Sequence, residues 1–359
     1  MALNGNITYG KQGGNLGAEQ RAVLDKLATT ELAQQMIFDK YATITKGIPQ
    51  NSGKKITFRK MLSMKDLIIA NNIYKNYTGN NIENGEGIVT LIDKDYYKQF
   101  ILPEGESGDQ IGDVRVIEYE TEIFPVGFWS KITEEVSLLH DMWTTRWHVS
   151  ELTKIASFAI DGFYRDLYIN NAGHQIDISG NDDGSNNMKD SAYTEANKKV
   201  TMQLRLSGAK FIDKIIDNSP NVGSKPINAK YVGIVNPLCE FSLRANPDFI
   251  PVEQYPNPSI AMENEIGTIG EIRYIFNEDM LIEDDGTDKF GYTLIMGKDH
   301  TAQIPLKGKG RIETIVKGLN SQDKSDPLNR LQIIGLKSWL GAYTLNPERM
   351  ALLKAKIEY

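Results

Sequence analysis

Apolar residues recur every three or four positions in some stretches of the chain and every second position in others. That contrast predicts an N-terminal arm, a hairpin, a long helix and an α/β body. In residues 19–41, Val23, Leu24, Leu27, Leu32, Met36, Ile37 and Tyr41 keep helical spacing, and Pro49 ends the segment. A Gly/Asn/Gln-rich stretch, Asn4 to Asn15, precedes it and reads as extended. This arm, residues 1–50, is too short for a domain and is predicted to lie across a neighbouring surface. Lys54, Lys55 and Ile56-Thr57-Phe58-Arg59 then open a strand. A polar, glycine-rich middle separates it from a second strand, Val114 to Glu120, which contains Val116 and Tyr119. Two strand arms around a loose centre predict a long hairpin within residues 51–130. An isolated hairpin is marginal in water, so this one is expected to rest on another chain.

Pro125 and Pro220 have no proline between them, and Thr133 offers a helix N-cap with Glu134 and Glu135 in the first turn. A helix running from there to the stop at Asn170-Asn171-Ala172-Gly173 would extend about 55 Å at ~1.5 Å per residue. Leu152, Ile155, Ala159, Phe163 and Leu167 form its apolar stripe and are expected to face the body. The helix and the loop residues after it make up a segment at 131–190. Beyond it come a helix at Thr194 to Leu206, closed by Gly208, and a buried strand at Tyr231 to Val235. A short helix at Leu238 to Arg244 is followed by strands at 271–276, 291–296, 311–316 and 332–337. Residues 191–325 read as one α/β domain and residues 326–359 as a returning C-terminal segment.

Composition narrows the function more than the fold. A net charge of −7 argues against a protein whose main surface grips phosphates. The single cysteine, Cys239, excludes an intramolecular disulfide and suits a reducing compartment. The first residues lack a signal-peptide pattern, and no stretch approaches eighteen apolar residues, so no membrane partner is expected.

No catalytic constellation emerges. His140 and His148 lie eight residues apart, which is not the i, i+4 spacing of a helical zinc site, and neither HExxH nor GxSxG occurs. Gly308-Lys309-Gly310 lacks phosphate-loop spacing. Gly267-Thr268-Ile269-Gly270 precedes a strand where a dinucleotide loop would come after one, so both read as turns. The oxygen-rich segment Asp177 to Asn187 lacks the glutamate that closes a calcium loop and reads as a surface loop. Trp143 and Trp147 share a helix face, with Trp129 nearby in sequence; packing against the hairpin base or a neighbour is expected over base stacking. Neither cofactor nor metal is expected. A hydrolase would need His174 or His300 to meet Asp182 or Asp183.

Five stretches in order carry a family resemblance: Ser52 to Arg59, Val232 to Pro237, Glu265 to Arg273, Met296 to Asp299, and Ser325 to Arg330 with Gly335-Leu336-Lys337-Ser338-Trp339 and Leu345-Asn346-Pro347-Glu348. Together they resemble the major capsid proteins of enquatrovirus-type phages, typified by coliphage N-four. Asn236 replaces that family's histidine, His300 its alanine, and the hairpin interior is longer. The resemblance implies an α+β, Hong Kong 97-like fold with an N-terminal arm, an E-loop, a spine helix with its P-domain, and an A-domain. It implies no enzymatic activity, and hexamers and pentamers closing into an icosahedral virion shell around double-stranded DNA, assembled in the host bacterial cytoplasm. Portal and scaffolding proteins, and a decoration protein, are the further partners it suggests, any scaffold being a separate chain. Lys54, Lys55, Phe58, Arg59, Val114, Val116 and Tyr119 would form the E-loop stem, which meets the next subunit. The alternative is an encapsulin-like nanocompartment of the same fold, which genomic context would distinguish.

Overall fold

The structure is a computed structural model. It describes residues 26, 28, 36–42, 44–51, 53–61, 116–134, 143–180, 186–217, 223–255, 261–262, 264–307, 312–317, 328 and 330–358. The chain divides into two units: Lys55–Thr121, and a body made of the residues up to Lys54 together with Glu122–Tyr359.

In chain order the strands begin with β1 (Ile44–Thr45), β2 (Lys55–Met61), β3 (Val116–Glu122), β4 (Phe124–Thr133), β5 (His174–Asp177) and β6 (Ile212–Asp217). Next come β7 (Gly223–Val235), β8 (Phe249–Pro251), β9 (Glu265–Ile269), β10 (Ile272–Phe276), β11 (Ile282–Asp284) and β12 (Lys289–Met296). The last five are β13 (Thr301–Gln303), β14 (Ile312–Lys317), β15 (Leu331–Leu340), β16 (Ala342–Thr344) and β17 (Met350–Ile357). The helices are α1 (Trp143–Asn170), α2 (Ser191–Leu206) and α3 (Glu240–Arg244), and Phe38–Tyr41 forms a 3-10 turn.

The body is built on a mixed sheet in the order β5-β17-β12-β7-β10-β9-β8, with β11 joined to β12 and β6 to β7. Its central strands are apolar on both faces because both faces are covered. Along β7, Val232 and Ile234 enter one core with Leu294, Met296, Ile275 and α1. Tyr231 and Val235 enter a second core with Tyr193, Ala196, Val200 and Leu204 of α2. A smaller sheet, β14-β15-β4, turns Ile132, Ile312, Val316, Ile334 and Leu336 into the first core. A third sheet joins β1, β13 and β16. The final strand, β17, lies inside the large sheet between β12 and β5.

One sequence expectation is refined and two are corrected. Thr133 ends β4, paired with Leu331, and Glu134 directly after it is helical, so the capping position stands; residues 135–142 lie outside the described residues. The described helix begins at Trp143 and runs 28 residues, about 42 Å at ~1.5 Å per residue.

The buried stripe of α1 is also displaced. Val149, Leu152, Ala156, Ile160, Tyr164 and Tyr168 are buried, and Phe163 and Leu167 are partly buried against them. Ile155 (54 % exposed) and Ala159 face outward. Both series keep three-to-four spacing, so periodicity could not choose between them. The chosen face accommodates its polar members: Thr153 Oγ1 donates to the Val149 carbonyl (2.7 Å) and Ser157 Oγ to that of Lys154 (2.7 Å).

The end of the arm, finally, is not a surface strap on a neighbour. Met36, Phe38, Tyr41 and Ala42 are buried in the chain's own first core, in a 3-10 turn where the apolar spacing predicts α-helix. Most of the expected helix at 19–41 lies outside the described residues, as does the hairpin interior.

The remaining elements fall where expected: α2 ends before Gly208 (φ +70°), and strands occupy the predicted stretches with bounds shifted by a few residues. Gly267 to Gly270 is strand and turn, Gly270 (φ +60°) reversing the chain between β9 and β10. Gly173 marks a close crossing: a Cβ there would lie 2.7–2.9 Å from the backbone of Pro347 and Glu348. Gly173→Ala is therefore expected to cost about 1–3 kcal/mol, because backbone must shift. Chemical denaturation measures it.

Candidate assembly surfaces

The hairpin stem pairs β2 with β3. Alternation sets its sides. Phe58 is buried, whereas Lys55 and Arg59 are exposed on β2, as are Val116, Ile117, Glu118 and Glu120 on β3. Arg59 Nε reaches Glu118 Oε1 at 2.7 Å, and Lys55 Nζ lies 3.9 Å from Glu120 Oε2. Tyr119 is half-buried on β3. Lys54 precedes the stem, its carbonyl accepting the Ile123 N–H (3.0 Å). Val114 lies outside the described residues. The stem thus presents Val116 and two ion pairs, Arg59–Glu118 and Lys55–Glu120, on one side, with Ile117 on the other beside Tyr119.

The β14-β15-β4 sheet has an outer face that sequence reading did not single out. Its register places Trp129 opposite Gly335, and Gly335 opposite Ile315. The next rows are Lys131–Ile333–Lys317 and Gly127–Lys337–Glu313. Trp129 is 67 % exposed, and Lys337 Nζ stands 5.3 Å above the Trp339 ring. The middle of this face is apolar and three lysines surround it. Adjacent apolar pairs in the sequence, Phe128-Trp129 and Ile333-Ile334, were the available signal: in a strand, one member of each must point outward.

Two further surfaces carry large exposed apolar side chains. Trp147, Ile155 and Phe158 lie on the outer side of α1, as the packing role expected for Trp147 requires. Trp143's side chain is outside the described residues. Met202 and Leu206 line a groove of about 670 Å³ between α2 and the β9–β10 turn, together with Lys198, Arg205 and Glu271.

The residues considered for chemistry are held in structural roles. Cys239 is buried, and that burial pushes its thiol up to about 12. His300 is buried against Tyr168 (ring centroids 5.0 Å apart) and its Nδ1 lies 2.9 Å from the Gly297 carbonyl. Burial lowers its pKa to about 4, so the ring is neutral at pH 7. His174 Nε2 sits 3.0 Å from the Glu348 carbonyl and 3.3 Å from Ser207 Oγ. Asp177 Oδ1 accepts the Ser179 N–H (2.8 Å) and hydroxyl (2.5 Å), a local turn. Asp182, Asp183, His140 and Gly308 to Gly310 lie outside the described residues. Among the described residues no three His, Cys, Asp or Glu side chains cluster as metal ligands.

The chain matches no protein-family model and no curated protein. Solved structures do match. A chain from the capsid of cyanophage P-SCSP1u aligns with TM-score 0.54 at 11% identity, covering 89% of this chain and 88% of that one. A chain from the head of the Helicobacter pylori bacteriophage KHP40 gives TM-score 0.53 at 10% identity, over 90% and 91%. One from the capsid of Ralstonia phage GP4 gives 0.50 at 12% identity, over 100% and 98%. At such identities the likeness speaks for architecture. The chain has the α+β, Hong Kong 97-like capsid fold.

Proposed function

We propose that this chain is the major capsid protein of a tailed double-stranded DNA bacteriophage, a non-enzymatic subunit that associates as hexamers and pentamers into the icosahedral shell of the virion. The observation that carries this reading is the match along about nine-tenths of both chains to phage capsid and head chains. The ordered motifs add an enquatrovirus-type affiliation. In this reading residues 51–130 are the E-loop with its P-domain strands, 131–190 the spine helix and P-domain, 191–325 the A-domain, and 326–359 the C-terminal segment. The arm, residues 1–50, would tie adjacent capsomers from the part that precedes Met36. Assembly takes place in the host cytoplasm with scaffolding and portal proteins, and the shell encloses DNA without sequence-specific contacts.

The contact at the centre of the reading joins one subunit's E-loop stem to the P-domain sheet of the next. Lys54, Lys55, Phe58, Arg59, Val114, Val116 and Tyr119 supply the stem. Its exposed Glu118 and Glu120 oppose in charge the sheet's Lys131, Lys317 and Lys337, its Lys55 and Arg59 oppose Glu313, and its Val116 matches the apolar centre at Trp129 and Ile315. Such complementarity sets register and partner choice more than affinity. Weak contacts suffice because a closed symmetric shell repeats each of them.

Expression of the chain with the scaffolding protein of its own genome, followed by negative-stain microscopy, tests the reading: uniform DNA-competent shells are expected. An encapsulin-like shell would instead enclose a cargo protein. The Arg59–Glu118 pair separates stability from assembly. Exposed pairs contribute about 0.2–1 kcal/mol, so Arg59→Ala is expected to leave the melting temperature almost unchanged. A loss of shells in that variant would then report the inter-subunit contact.

A further inference from the structure

Asp161 stands in the middle of α1, on its buried face, in a helix otherwise packed through apolar and aromatic side chains. Its Oδ1 accepts the main-chain N–H groups of Ile37 (3.2 Å) and Asp39 (3.3 Å). Its Oδ2 accepts the Ile37 N–H (3.1 Å) and the Asn277 side-chain amide (3.1 Å). Asp39 is itself fully buried, and its Oδ1 accepts from Gln303 Nε2 at 2.8 Å. Two buried carboxyl groups therefore meet where four separate pieces of chain converge: the 3-10 turn, α1, the turn after β10, and β13.

We propose that Asp39 and Asp161 form a proton-operated clamp that fastens the segment Met36–Ala42 to the long helix and loosens as the pH rises towards neutrality. The arrangement has the parts such a clamp needs. Besides the buried Met36, Phe38 and Tyr41 side chains, the segment is held through its backbone, and there one side chain, Asp161, accepts two of its N–H groups. The charged group facing Asp161 is Asp39, from the 3-10 turn. The turn after β10 contributes the neutral Asn277 and β13 the neutral Gln303. On α1 itself, Arg165 is directed elsewhere, to the Asp279 carbonyl (2.9 Å) and the Asp166 carboxylate. Two like charges in one desolvated place repel, and a proton on one of them relieves it.

The sign comes from burial. Desolvation, with a smaller contribution from the Asp39 charge, pushes the Asp161 carboxyl up to about 6 against the N–H groups that pull it down. Unfolded, the same carboxyl takes a proton only below its ordinary value of 3.8. The folded chain thus holds an extra proton between those two values. The stabilisation is complete below the lower one, is lost as pH rises to about 6, and changes no further above it. His300 acts in the opposite sense: burial lowers it to about 4, so its share is lost as pH falls from its ordinary 6.5.

The clamp concerns the chain's own packing and does not depend on the assembly reading. Thermal unfolding of the full-length protein and of Asp161→Asn, from pH 4.5 to 7.5, tests it, because His300 contributes equally to both and cancels in the difference. The stability advantage of the wild type over the variant is expected to shrink by about twentyfold in folding constant between pH 4.5 and 6.5, and to be nearly level above. Parallel profiles overturn the proposal. If the variant does not fold, hydrogen exchange of residues 36–42 in the wild type decides alone. Their protection, corrected for intrinsic rates and divided by that of β12 in the same protein so that the His300 share cancels, should fall between pH 5 and pH 7.5, and an unchanged ratio overturns the clamp.

Discussion

Trp129→Glu is expected to fold with a melting temperature close to the wild type's and to build no shells. Two-thirds of the Trp129 side chain is exposed, on the outer face of β4, so its removal takes little from either core. Strand preference alone sets the cost to the subunit, within about 1 kcal/mol. In the proposed shell the same residue would be the buried apolar centre of the β14-β15-β4 face, with Gly335 and Ile315 in its row. Truncating a tryptophan anchor at an interface costs about 2 kcal/mol or more. Glutamate places a charge at a centre that has to be desolvated on contact. Because every subunit repeats the contact, the loss compounds around the shell. Sedimentation velocity paired with calorimetry reads both halves of this expectation.

The second large effect belongs to the fold. Arg273 and Glu265 form an ion pair with side chains 2 % and 0 % exposed, Nε to Oε1 at 2.8 Å. Glu265 also accepts from the Tyr255 hydroxyl (2.9 Å) and the Met262 N–H (2.7 Å), so the pair locks β9, β10 and the segment before them. Arg273→Met keeps much of the volume but leaves the Glu265 carboxylate buried without its cation. Breaking a buried pair in this way costs about 3–5 kcal/mol. Such a loss is a large part of a domain's whole stability, and the variant is expected to accumulate mainly as insoluble protein. Glu265→Gln in the same background should restore part of the loss, because the remaining side chain is then neutral. Urea unfolding of the three proteins measures it.

How much of this was legible in the sequence depends on what fixes each element. The central strands β7, β10 and β12 were readable because their apolar runs are buried on both faces, so local composition and tertiary environment agree, whereas β5, β6, β8, β9, β11 and β17 of the same sheet were not read as strands. β4 was less readable: the capping signal at Thr133-Glu134 agrees with a helical Glu134, but that Thr133 also closes a strand depends on pairing with β15, some two hundred residues away. The face of α1 was ambiguous for the same reason. Ile155 and Ile160 are equally apolar, and the arm and β15 decide which is covered. The outer face of the β14-β15-β4 sheet was hidden because its rows join three distant strands. Asp161 was visible as a charge among apolar helix residues, but its partners Asp39, Asn277 and Gln303 come together only in the fold. The ordered motifs, by contrast, carried the architecture, which the comparison with solved capsid and head chains then supported independently.

Cryo-electron microscopy of particles formed by the full-length chain, produced with its scaffolding protein, is the sharpest test of the assembly reading. Closed icosahedral particles are predicted, in which β2 and β3 of one subunit lie on the outer face of the neighbour's β14-β15-β4 sheet, over Trp129. A discrete soluble oligomer under those conditions, or a shell in which Trp129 stays open to solvent, would contradict it.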